Sequence, residues 1–430
     1  MAERARVIVV GGGFGGLTCA RRLEKLLPRD QAEIVIFNPT NFMTFTPLLP
    51  EAAAGTLQPR HVGVPLRRVL KHTRVVVGKT LAVDFEARTA TLRPIEGPDR
   101  VFEWDRIVLA PGSISRQFPI PGLKEYAFGF KTLSEAIFIR NHVLRMLELA
   151  DASDDIAERQ ARCTFVVVGA GYAGTELIAE LQAMVGRVLD NFPRVGPEDL
   201  RWVLVDVAKT VLPELGEGLG QRALKILRRR GIEIRLGTSV EEVGPDFVKL
   251  SDGEFLSMKT FVWTAGVAPD PLIGTLGLPT EARGRLVCDQ YTRVQGRDDV
   301  FAVGDAAAVP DPGDPSRSTP PTAQFALRQG RTCAHNVAAS LTGGTMKKFN
   351  FRGLGLLVNL ANSEGVAKVL GVPVSGRLGW LVTRAYHVLA IPTVWRRIRV
   401  LVDYTLAVGD RPDIAEMGAL GKVGTLESEK

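Results

Sequence analysis

The sequence predicts an α/β fold with two parallel β-sheets and a C-terminal helical tail, and three observations carry that prediction. First, a short β-branched run leads into a G-x-G-x-x-G turn and then into an amphipathic helical pattern. Second, the same order recurs later in the chain. Third, a late apolar run ends in Gly304-Asp305 and predicts another buried strand. The glycines of the two turns are Gly11, Gly13 and Gly16, then Gly169, Gly171 and Gly174.

The composition is that of a globular chain with more than one domain. Its 430 residues are 45% hydrophobic and 23% charged, with a formal net charge of +7. This charge favours anionic partners such as dinucleotides or acidic lipids. The sequence contains no run of basic residues interleaved with aromatic residues, so we do not expect nucleic-acid binding. The cysteines and histidines are scattered, so we expect neither a redox dithiol nor a metal site. We find no signal peptide and no membrane-spanning run, so we expect a cytoplasmic protein.

The first glycine turn predicts a dinucleotide site, because strand, turn and helix stand in the required order. The glycines permit a tight turn and the close approach of a pyrophosphate, and the helix N-terminus offers N–H donors to the phosphates. The candidate residues here are Gly11, Gly13, Phe14, Gly15 and Gly16. The next strand is predicted over residues 32–37, and Asn38 stands at its end, where such folds usually carry an acidic residue. Its amide oxygen can accept the same ribose hydrogen bond without a charge.

The second glycine turn predicts a second dinucleotide site. The strand that follows its helix ends in Asp206. A carboxylate there accepts a hydrogen bond from a ribose 2′-hydroxyl and repels a 2′-phosphate, which favours NAD over NADP. Lys209 lies nearby and keeps NADP open as an alternative.

Other strand ends and loops also carry candidate ligand contacts. The carboxylate of Asp305 could bind a polyol hydroxyl or belong to a plain turn. A helix is predicted to start near Ala323-Gln324, and its positive end would stabilise negative charge on a ligand, such as a reduced flavin ring if one were placed against it. The rigid loop containing Thr46-Pro47 could equally be simple packing. The remaining small residues at strand ends are Ala110, Gly112 and Gly266.

The tail, residues 377–408, combines tryptophan, arginine and aliphatic residues, and Pro392 divides it into two predicted helical pieces. Tryptophan and arginine on amphipathic helices are typical of a membrane interface with anionic lipid. A helical hairpin that packs on the body of the protein, or that forms a homodimer, is the open alternative.

Together these motifs resemble the flavoproteins with two dinucleotide-binding domains, and within them the type II NADH dehydrogenases, which are non-proton-pumping NADH:quinone oxidoreductases. The resemblance covers residues 5–410. It rests on both glycine turns, on the strand ends at Gly112, Gly266 and Asp305, and on narrower features. The narrower features are the FTPLL sequence at 45–49, Ala323-Gln324 with Gln329-Gly330, and the Trp/Arg-rich tail.

The resemblance implies FAD on the first unit, with its ribitol held by Asp305, and NADH on the second unit, with its ribose on Asp206. A hydride passes from NADH to FAD, and two electrons then pass to a membrane quinone. Glu176 matches a family glutamate near the nicotinamide and flavin, although it could simply be an acid in the first turn of a helix. Gln324 matches the glutamine by the quinone. Arg328 replaces a glutamine of the family pattern, which leaves the acceptor open.

The implied architecture is two Rossmann-like domains with the NAD-binding domain inserted in the FAD-binding domain. We expect the FAD-binding domain at 1–120 and 290–342, the NAD-binding domain at 121–289, and a strand region with a membrane-associating tail at 343–430. We expect a peripheral protein on the cytoplasmic face of the cell membrane that serves respiratory electron transfer. The predicted cofactor-binding set is Gly11, Gly13, Phe14, Gly15, Gly16, Asn38, Thr46, Pro47, Ala110, Gly112, Gly169, Gly171, Gly174, Asp206, Gly266, Gly304, Asp305, Ala323 and Gln324.

Three other functions share parts of this pattern. A soluble ferredoxin or rubredoxin reductase has both nucleotide units but no need of the Trp/Arg-rich tail. A sulfide:quinone oxidoreductase needs reactive cysteines, and the positions of Cys163 and Cys333 argue against them. A flavin-bearing redox sensor without turnover stays open.

Overall fold

A computed structural model describes residues 4–409 and 412–417 of the chain. Its strands, in chain order, are β1 (Ala5–Val10), β2 (Ala32–Asn38), β3 (Phe42–Thr44), β4 (Gly63–Pro65), β5 (Arg74–Asp84), β6 (Thr89–Pro94), β7 (Arg100–Glu103), β8 (Arg106–Leu109), β9 (Ser113–Ser115), β10 (Phe128–Gly129), β11 (Thr164–Val168), β12 (Arg201–Asp206), β13 (Ile232–Leu236), β14 (Val240–Val243), β15 (Phe247–Leu250), β16 (Phe255–Ser257), β17 (Thr260–Trp263), β18 (Val267–Pro269), β19 (Leu286–Val287), β20 (Val300–Ala302), β21 (Ala307–Ala308), β22 (Pro310–Asp311), β23 (Asp314–Ser318), β24 (Gly355–Asn359), β25 (Gly365–Val369) and β26 (Val372–Ser375).

The α-helices, in chain order, are α1 (Phe14–Leu26), α2 (Leu49–Ala53), α3 (Pro59–Val62), α4 (Leu66–Val69), α5 (Leu123–Tyr126), α6 (Leu133–Asp151), α7 (Ile156–Arg162), α8 (Tyr172–Val188), α9 (Glu217–Arg229), α10 (Leu272–Thr275), α11 (Ala323–Thr342), α12 (Gly376–Ala390) and α13 (Val394–Gly409). Short 3-10 turns include Thr46–Leu48, Leu189–Asn191 and Gly304–Ala306.

The chain divides into two compact units. The first comprises the chain through Thr44, Gly63–Ile114 and Val267–Leu354, and the second comprises Phe45–Val62, Ser115–Gly266 and the chain from Gly355 onward. The main segment of the second unit is thus inserted in the sequence of the first. This arrangement confirms the predicted α/β fold with an inserted second unit.

The first unit is built on a seven-stranded sheet in the order β20-β8-β1-β2-β5-β6-β7. The strands from β20 to β5 run parallel, and β6 and β7 add an antiparallel edge. Val7, Ile8 and Val9 are fully buried at its centre, as expected for a strand covered on both faces. The late strand β20 pairs with β8, so segments distant in the sequence complete one sheet.

The second unit contains a five-stranded parallel sheet in the order β10-β17-β11-β12-β13. Strand β11 is buried along its whole length and leads into α8. The antiparallel strands β24-β25-β26 and the tail helices α12 and α13 also belong to this unit. Pro392 lies between the two tail helices, as predicted.

Several connecting segments contain short regular elements. The charged stretch 151–162 contains α7, whose N-terminus is capped by the side chain of Asp155. Residues 310–321 contain the short hairpin of β22 and β23. Residues 184–188 are the last residues of α8, and short 3-10 turns follow them. Among the described residues, no helix is both long enough and apolar enough to cross a bilayer.

Candidate functional site

The first glycine turn is closed so tightly that two of its positions admit only glycine. Gly11 has φ +98°, and a Cβ built there would lie 2.0 Å from the carbonyl oxygen of Ala110. A Cβ on Gly16 would lie 1.9 Å from the oxygen of Gly11. Gly13 differs, because a Cβ there would meet nothing within 4 Å, and this residue caps α1 without a side-chain hydrogen bond. The turn therefore presents a helix N-terminus with free space in front of it, which fits a pyrophosphate.

The second glycine turn repeats this geometry. Gly169 has φ +114°, and a Cβ on Gly174 would lie 2.0 Å from its carbonyl oxygen. Gly171 caps α8 without a side-chain hydrogen bond, and a Cβ there would again meet nothing within 4 Å. Two separate helix N-termini are thus each preceded by a tight turn and an open glycine.

The remaining residues of the first turn pack against late parts of the chain. Phe14 is the first residue of α1, and a Cβ on Gly15 would lie 2.9 Å from Cγ2 of Val303. A Cβ on Gly330 of α11 would lie 2.3 Å from the carbonyl oxygen of Gly15. The glycines therefore also allow α1 and α11 to pack closely.

Asn38 braces the first turn from within the protein. Its Oδ1 accepts a hydrogen bond from the backbone N–H of Gly12 across 2.8 Å, and its Nδ2 donates to the oxygens of Thr40 and Phe42. The amide oxygen that the sequence analysis assigned to a ribose thus already holds the turn. A carboxylate could accept from Gly12 in the same way, but it could not donate to both carbonyl oxygens, which explains why an amide suits this position.

Asp206 stands at the matching position of the second unit. Its Oδ2 accepts from the N–H of Ala170 across 2.5 Å, and its Oδ1 accepts from the N–H of Ala208 across 2.7 Å. These two bonds fix the carboxylate beside the second glycine turn.

The turn Gly304–Ala306 is held by side chains from two other segments. Ser113 Oγ donates to Asp305 Oδ2 across 2.5 Å. Gln329 Oε1 accepts from the N–H of Gly304 across 2.8 Å, and its Nε2 donates to Thr319 Oγ1 across 2.9 Å. Gln329 is only 1% exposed, so α11 carries a buried support for the acidic turn.

Ala323 is the first residue of α11, and Gln324 follows it. Gln324 Oε1 accepts from the N–H of Leu354 across 3.1 Å. Arg328, the departure from the family pattern, lies with its guanidinium carbon 4.7 Å from the ring centroid of Phe351. This arginine therefore has an aromatic partner within its own unit.

The other predicted residues lie at strand ends and in one loop. Ala110 and Gly112 follow β8, and Gly266, with φ +77°, follows β17. Thr46 and Pro47 begin a 3-10 turn that leads directly into α2 of the second unit.

Glu176 is buried and belongs to a cluster that the sequence analysis missed. Its Oε1 accepts from the backbone N–H of Asn359 across 2.7 Å. The side-chain Nδ2 of Asn359 donates to Glu51 Oε1 across 3.0 Å and to Glu180 Oε1 across 2.9 Å. We call Glu51, Glu176, Glu180 and Asn359 the carboxyl cluster. The only sequence signal for it was the i, i+4 spacing of Glu176 and Glu180, which places both on one face of α8.

Burial controls the protonation of the carboxyl cluster. It raises the pKa of Glu176 well above the usual carboxyl range, although the hydrogen bond from the backbone N–H of Asn359 lowers that pKa. Burial and then the charge of Glu51 raise the pKa of Glu180 to about 7. Burial also raises the pKa of Glu51, although the charge of Arg384 and the hydroxyl of Tyr404 oppose this shift.

All four cysteines are free and buried. Burial raises the pKa of Cys163 to about 12, and a hydrogen bond with Cys333 together with burial raises the pKa of Cys19. Thiols in this state are poor nucleophiles, so these side chains offer no support for a cysteine-based mechanism.

The comparisons with known proteins agree with this geometry. The profile of the pyridine nucleotide-disulphide oxidoreductase family matches residues 5–330. The type II NADH:quinone oxidoreductase NdhA of Mycobacterium tuberculosis is 31% identical, covering 94% of this chain and 87% of its own length. A type II NADH:quinone oxidoreductase of Staphylococcus aureus is 30% identical, covering 87% of this chain and 92% of its own length.

Solved structures share the fold at lower identity. NDH2 of Plasmodium falciparum in complex with NADH matches with a TM-score of 0.87 and 18% identity, covering 96% of this chain and 100% of that chain. The sulfide:quinone oxidoreductase of Aquifex aeolicus matches with a TM-score of 0.70 and 16% identity, covering 95% of this chain and 96% of that chain.

Proposed function

Because this chain belongs to the type II NADH:quinone oxidoreductases, within the pyridine nucleotide-disulphide oxidoreductase family, we infer that it is a flavoprotein that oxidises NADH and reduces a quinone. The observation that carries this function is the pair of matching glycine turns, since two such turns supply two dinucleotide sites. FAD, when bound, supplies the redox chemistry by taking two electrons from NADH and delivering them to the quinone.

We propose that the first glycine turn holds the pyrophosphate of FAD at the N-terminus of α1. Gly13 leaves the space that the phosphates need, while Gly11 and Gly16 keep the turn closed. The carboxylate of Asp305 binds ribitol hydroxyls, and Ser113 and Gln329 hold its turn in place. Asn38 supports this site through Gly12.

We propose that the second glycine turn holds NADH at the N-terminus of α8, with the ribose hydroxyls on Asp206. The N–H groups of Ala170 and Ala208 fix the direction of this carboxylate. A 2′-phosphate would meet a like charge there, so NADH is preferred to NADPH.

We propose that Glu176 and Gln324 serve the reaction, Glu176 through its proton and Gln324 through its amide toward the quinone. Burial raises the pKa of Glu176 well above the usual carboxyl range, which favours the protonated form that can donate a hydrogen bond or a proton. Gln324 lies in the first turn of α11, where its position is fixed by the hydrogen bond with Leu354.

We propose that the tail helices bind an anionic membrane surface. One side of α13 is anchored: Asp403 accepts from the N–H of Gln58, and Tyr404 donates to Glu51. The large apolar side chains that stay exposed on α12 and α13 are Leu378, Leu381, Leu389, Val394, Trp395, Ile398, Leu401, Val402, Leu406 and Val408. Arg377 and Arg399 are also exposed on these helices and provide cations for lipid headgroups. A homodimer through the same surface is the alternative use.

We propose that the protein is peripheral and acts on the cytoplasmic face of the cell membrane, where it reaches both NADH and the quinone pool. The decisive experiment is spectroscopic and kinetic. The purified protein should be yellow, NADH should bleach its flavin absorbance, and a panel of soluble quinones should restore that absorbance with steady turnover. One slow reduction per flavin with every quinone would favour a redox sensor instead, and turnover with ferredoxin but no quinone would favour a soluble reductase.

A further inference from the structure

The carboxyl cluster contains more titratable groups than the proposed reaction uses. Glu51, Glu180 and Asn359 are 3%, 2% and 5% exposed, and Glu176 is 7% exposed. Polar groups so deeply buried are costly unless they are paired or serve the reaction. Helix α2 contributes Glu51, helix α8 contributes Glu176 and Glu180, and strand β24 contributes Asn359.

Asn359 connects the three carboxyls directly. It uses its backbone N–H for Glu176 and both side-chain N–H groups for Glu51 and Glu180, and its Oδ1 accepts from the N–H of Ala361. Every donor of this residue is therefore directed at a carboxyl group. Because all three carboxyls share Asn359 as a hydrogen-bond donor, a change of charge on one carboxyl alters the pKa of the other two.

Within the described part of the chain, Glu51 is the carboxyl of the cluster that pairs with a cation. Arg384 of α12 contacts Glu51 Oε1 through Nε and Nη2, each at 3.1 Å, and Tyr404 of α13 donates to Glu51 Oε2 across 2.6 Å. These donors favour the ionised form of Glu51. Burial raises the pKa of both Glu176 and Glu180, so these two carboxyls favour the protonated form.

Reduction of a quinone by NADH needs a proton in addition to those that NADH carries. NADH provides two electrons and one proton, while the hydroquinone contains two new O–H bonds, so one proton must come from the protein or from water. A buried acid close to neutral pKa is suited to this transfer.

We propose that Glu51, Glu180 and Asn359 are positioning residues for Glu176, and that the carboxyl cluster stores the proton that quinone reduction consumes. This inference rests on the proposed function of Glu176. In the transfer, an O–H bond of Glu180 breaks as Glu176 is reprotonated after giving its proton to a quinone oxygen. The cluster then carries one more negative charge, and a proton from water restores it.

The charges that face the cluster come from every element packed on it. Arg384 and Tyr404 act on Glu51, whereas Arg384, Arg187 and Arg230 lower the pKa of Glu180 and Glu51 raises it. Burial raises the pKa of Tyr172, and the charges of Glu214 and Glu176 add to this shift. With a pKa of about 7, Glu180 is protonated below about pH 7 and can supply the proton, whereas above that pH it is ionised and cannot.

The test is the pH dependence of turnover with quinone and with ferricyanide in the holoenzyme, because ferricyanide accepts electrons without protons. In the wild type, the ratio of the quinone rate to the ferricyanide rate should fall as pH rises through about 7. Glu180→Gln should abolish this inflection and lower the ratio about tenfold. Glu51→Gln should move the inflection to lower pH, because the negative charge that opposes ionisation of Glu180 is gone. The exposed Glu217→Gln is the matched control and should behave as the wild type.

Infrared titration of the wild type provides a second measurement. The band of a buried protonated carboxyl should disappear as pH rises through about 7 and should be missing in Glu180→Gln. If Glu180→Gln and Glu51→Gln fold and show the same pH profile as the wild type, the proposal is overturned. If the variants fail to fold, the infrared titration decides, and a wild type in which no buried carboxyl titrates overturns the proposal. A wild type that reduces no quinone refutes the proposed function, and the infrared titration still decides whether the store exists.

Discussion

The side-chain oxygen of Gln329 accepts a hydrogen bond from the backbone N–H of Gly304 across 2.8 Å. This bond connects α11 to the turn that carries Asp305, and the amide nitrogen of the same glutamine donates to Thr319. A residue quoted for its family pattern is thus a structural support for the acidic turn.

We expect Gln329→Ala to loosen the Gly304–Ala306 turn, because the N–H of Gly304 and the hydroxyl of Thr319 both lose a partner. The loss of each hydrogen bond costs about 0.5–1.5 kcal/mol. The melting temperature and the FAD content of the purified protein should both fall. Gln221→Ala, on the exposed side of α9, is the control and should change neither.

Alanine substitutions in the first glycine turn should separate folding from cofactor binding. Gly11→Ala and Gly16→Ala place a Cβ about 2 Å from a backbone oxygen and should prevent folding of the first unit. Gly13→Ala meets no protein atom within 4 Å, so the protein should fold but lose FAD affinity. Gly186→Ala, which also has free space and lies inside α8, should stabilise the protein by about 0.5–1 kcal/mol. Full FAD content in Gly13→Ala would refute the pyrophosphate site.

Asp206→Ala should weaken the preference for NADH. The loss of a charged hydrogen bond to the ribose costs about 1.5 kcal/mol or more, so the KM for NADH should rise about tenfold. The KM for NADPH should rise less, since the like charge that opposes its 2′-phosphate is also removed. Steady-state kinetics with both nucleotides measures this, and Asp246→Ala, an exposed aspartate of the same unit, is the control. An unchanged nucleotide preference would exclude Asp206 from the site.

Trp395→Ala should reduce binding to vesicles that contain anionic lipid. This indole is 76% exposed on α13, so its removal should cost membrane affinity without disturbing the core. Vesicle flotation at low and high salt is the measurement, and binding should weaken as salt screens the arginines. Phe255→Ala, 62% exposed elsewhere in the second unit, should bind as the wild type. If Trp395→Ala changes the oligomeric state and leaves flotation unchanged, the surface is a dimer interface.

Glu180 predicts how stability depends on pH. Its pKa is about 7 in the folded protein and has the ordinary carboxyl value in the unfolded chain, so between these values the folded state binds more protons. The free energy of unfolding should therefore fall as pH rises from about 4.5 to about 7, with no further contribution from this group above that range. Glu180→Gln should flatten that part of the profile, as measured by urea denaturation. An equally steep fall in the variant would assign the effect to other groups.

The glycine turns could be predicted from the sequence because their constraint is local. Gly11 and Gly16 need only the chain immediately around them to explain why a side chain is forbidden. The tail helices followed from periodicity and from Pro392 for the same reason. The strand region predicted within 343–430 could not be divided into single strands from the sequence, because β24 and β25 are defined by pairing with each other and not by a strong internal pattern.

The carboxyl cluster could not be predicted because its members are far apart in sequence. Glu51 lies in a short helix after an apolar loop, and Asn359 ends a strand more distant still. Their meeting depends on packing within the second unit, which no local pattern encodes. Asn38 was placed correctly at the strand end, but its bonds to Gly12 and Phe42 depend on the turn opposite it.

The pairing of β20 with β8 has a consequence for folding during synthesis on the ribosome. Strand β8 ends at Leu109, but its neighbour β20 does not begin until Val300. The edge of β8 in the N-terminal sheet therefore stays unpaired while the intervening chain is synthesised. The five strands of the second parallel sheet, all encoded between Phe128 and Leu236 or in Thr260–Trp263, are complete before that edge is closed. Translation order thus makes the inserted sheet the first of the two that can be completed, and the edge of β8 stays open to wrong pairing until β20 has been synthesised.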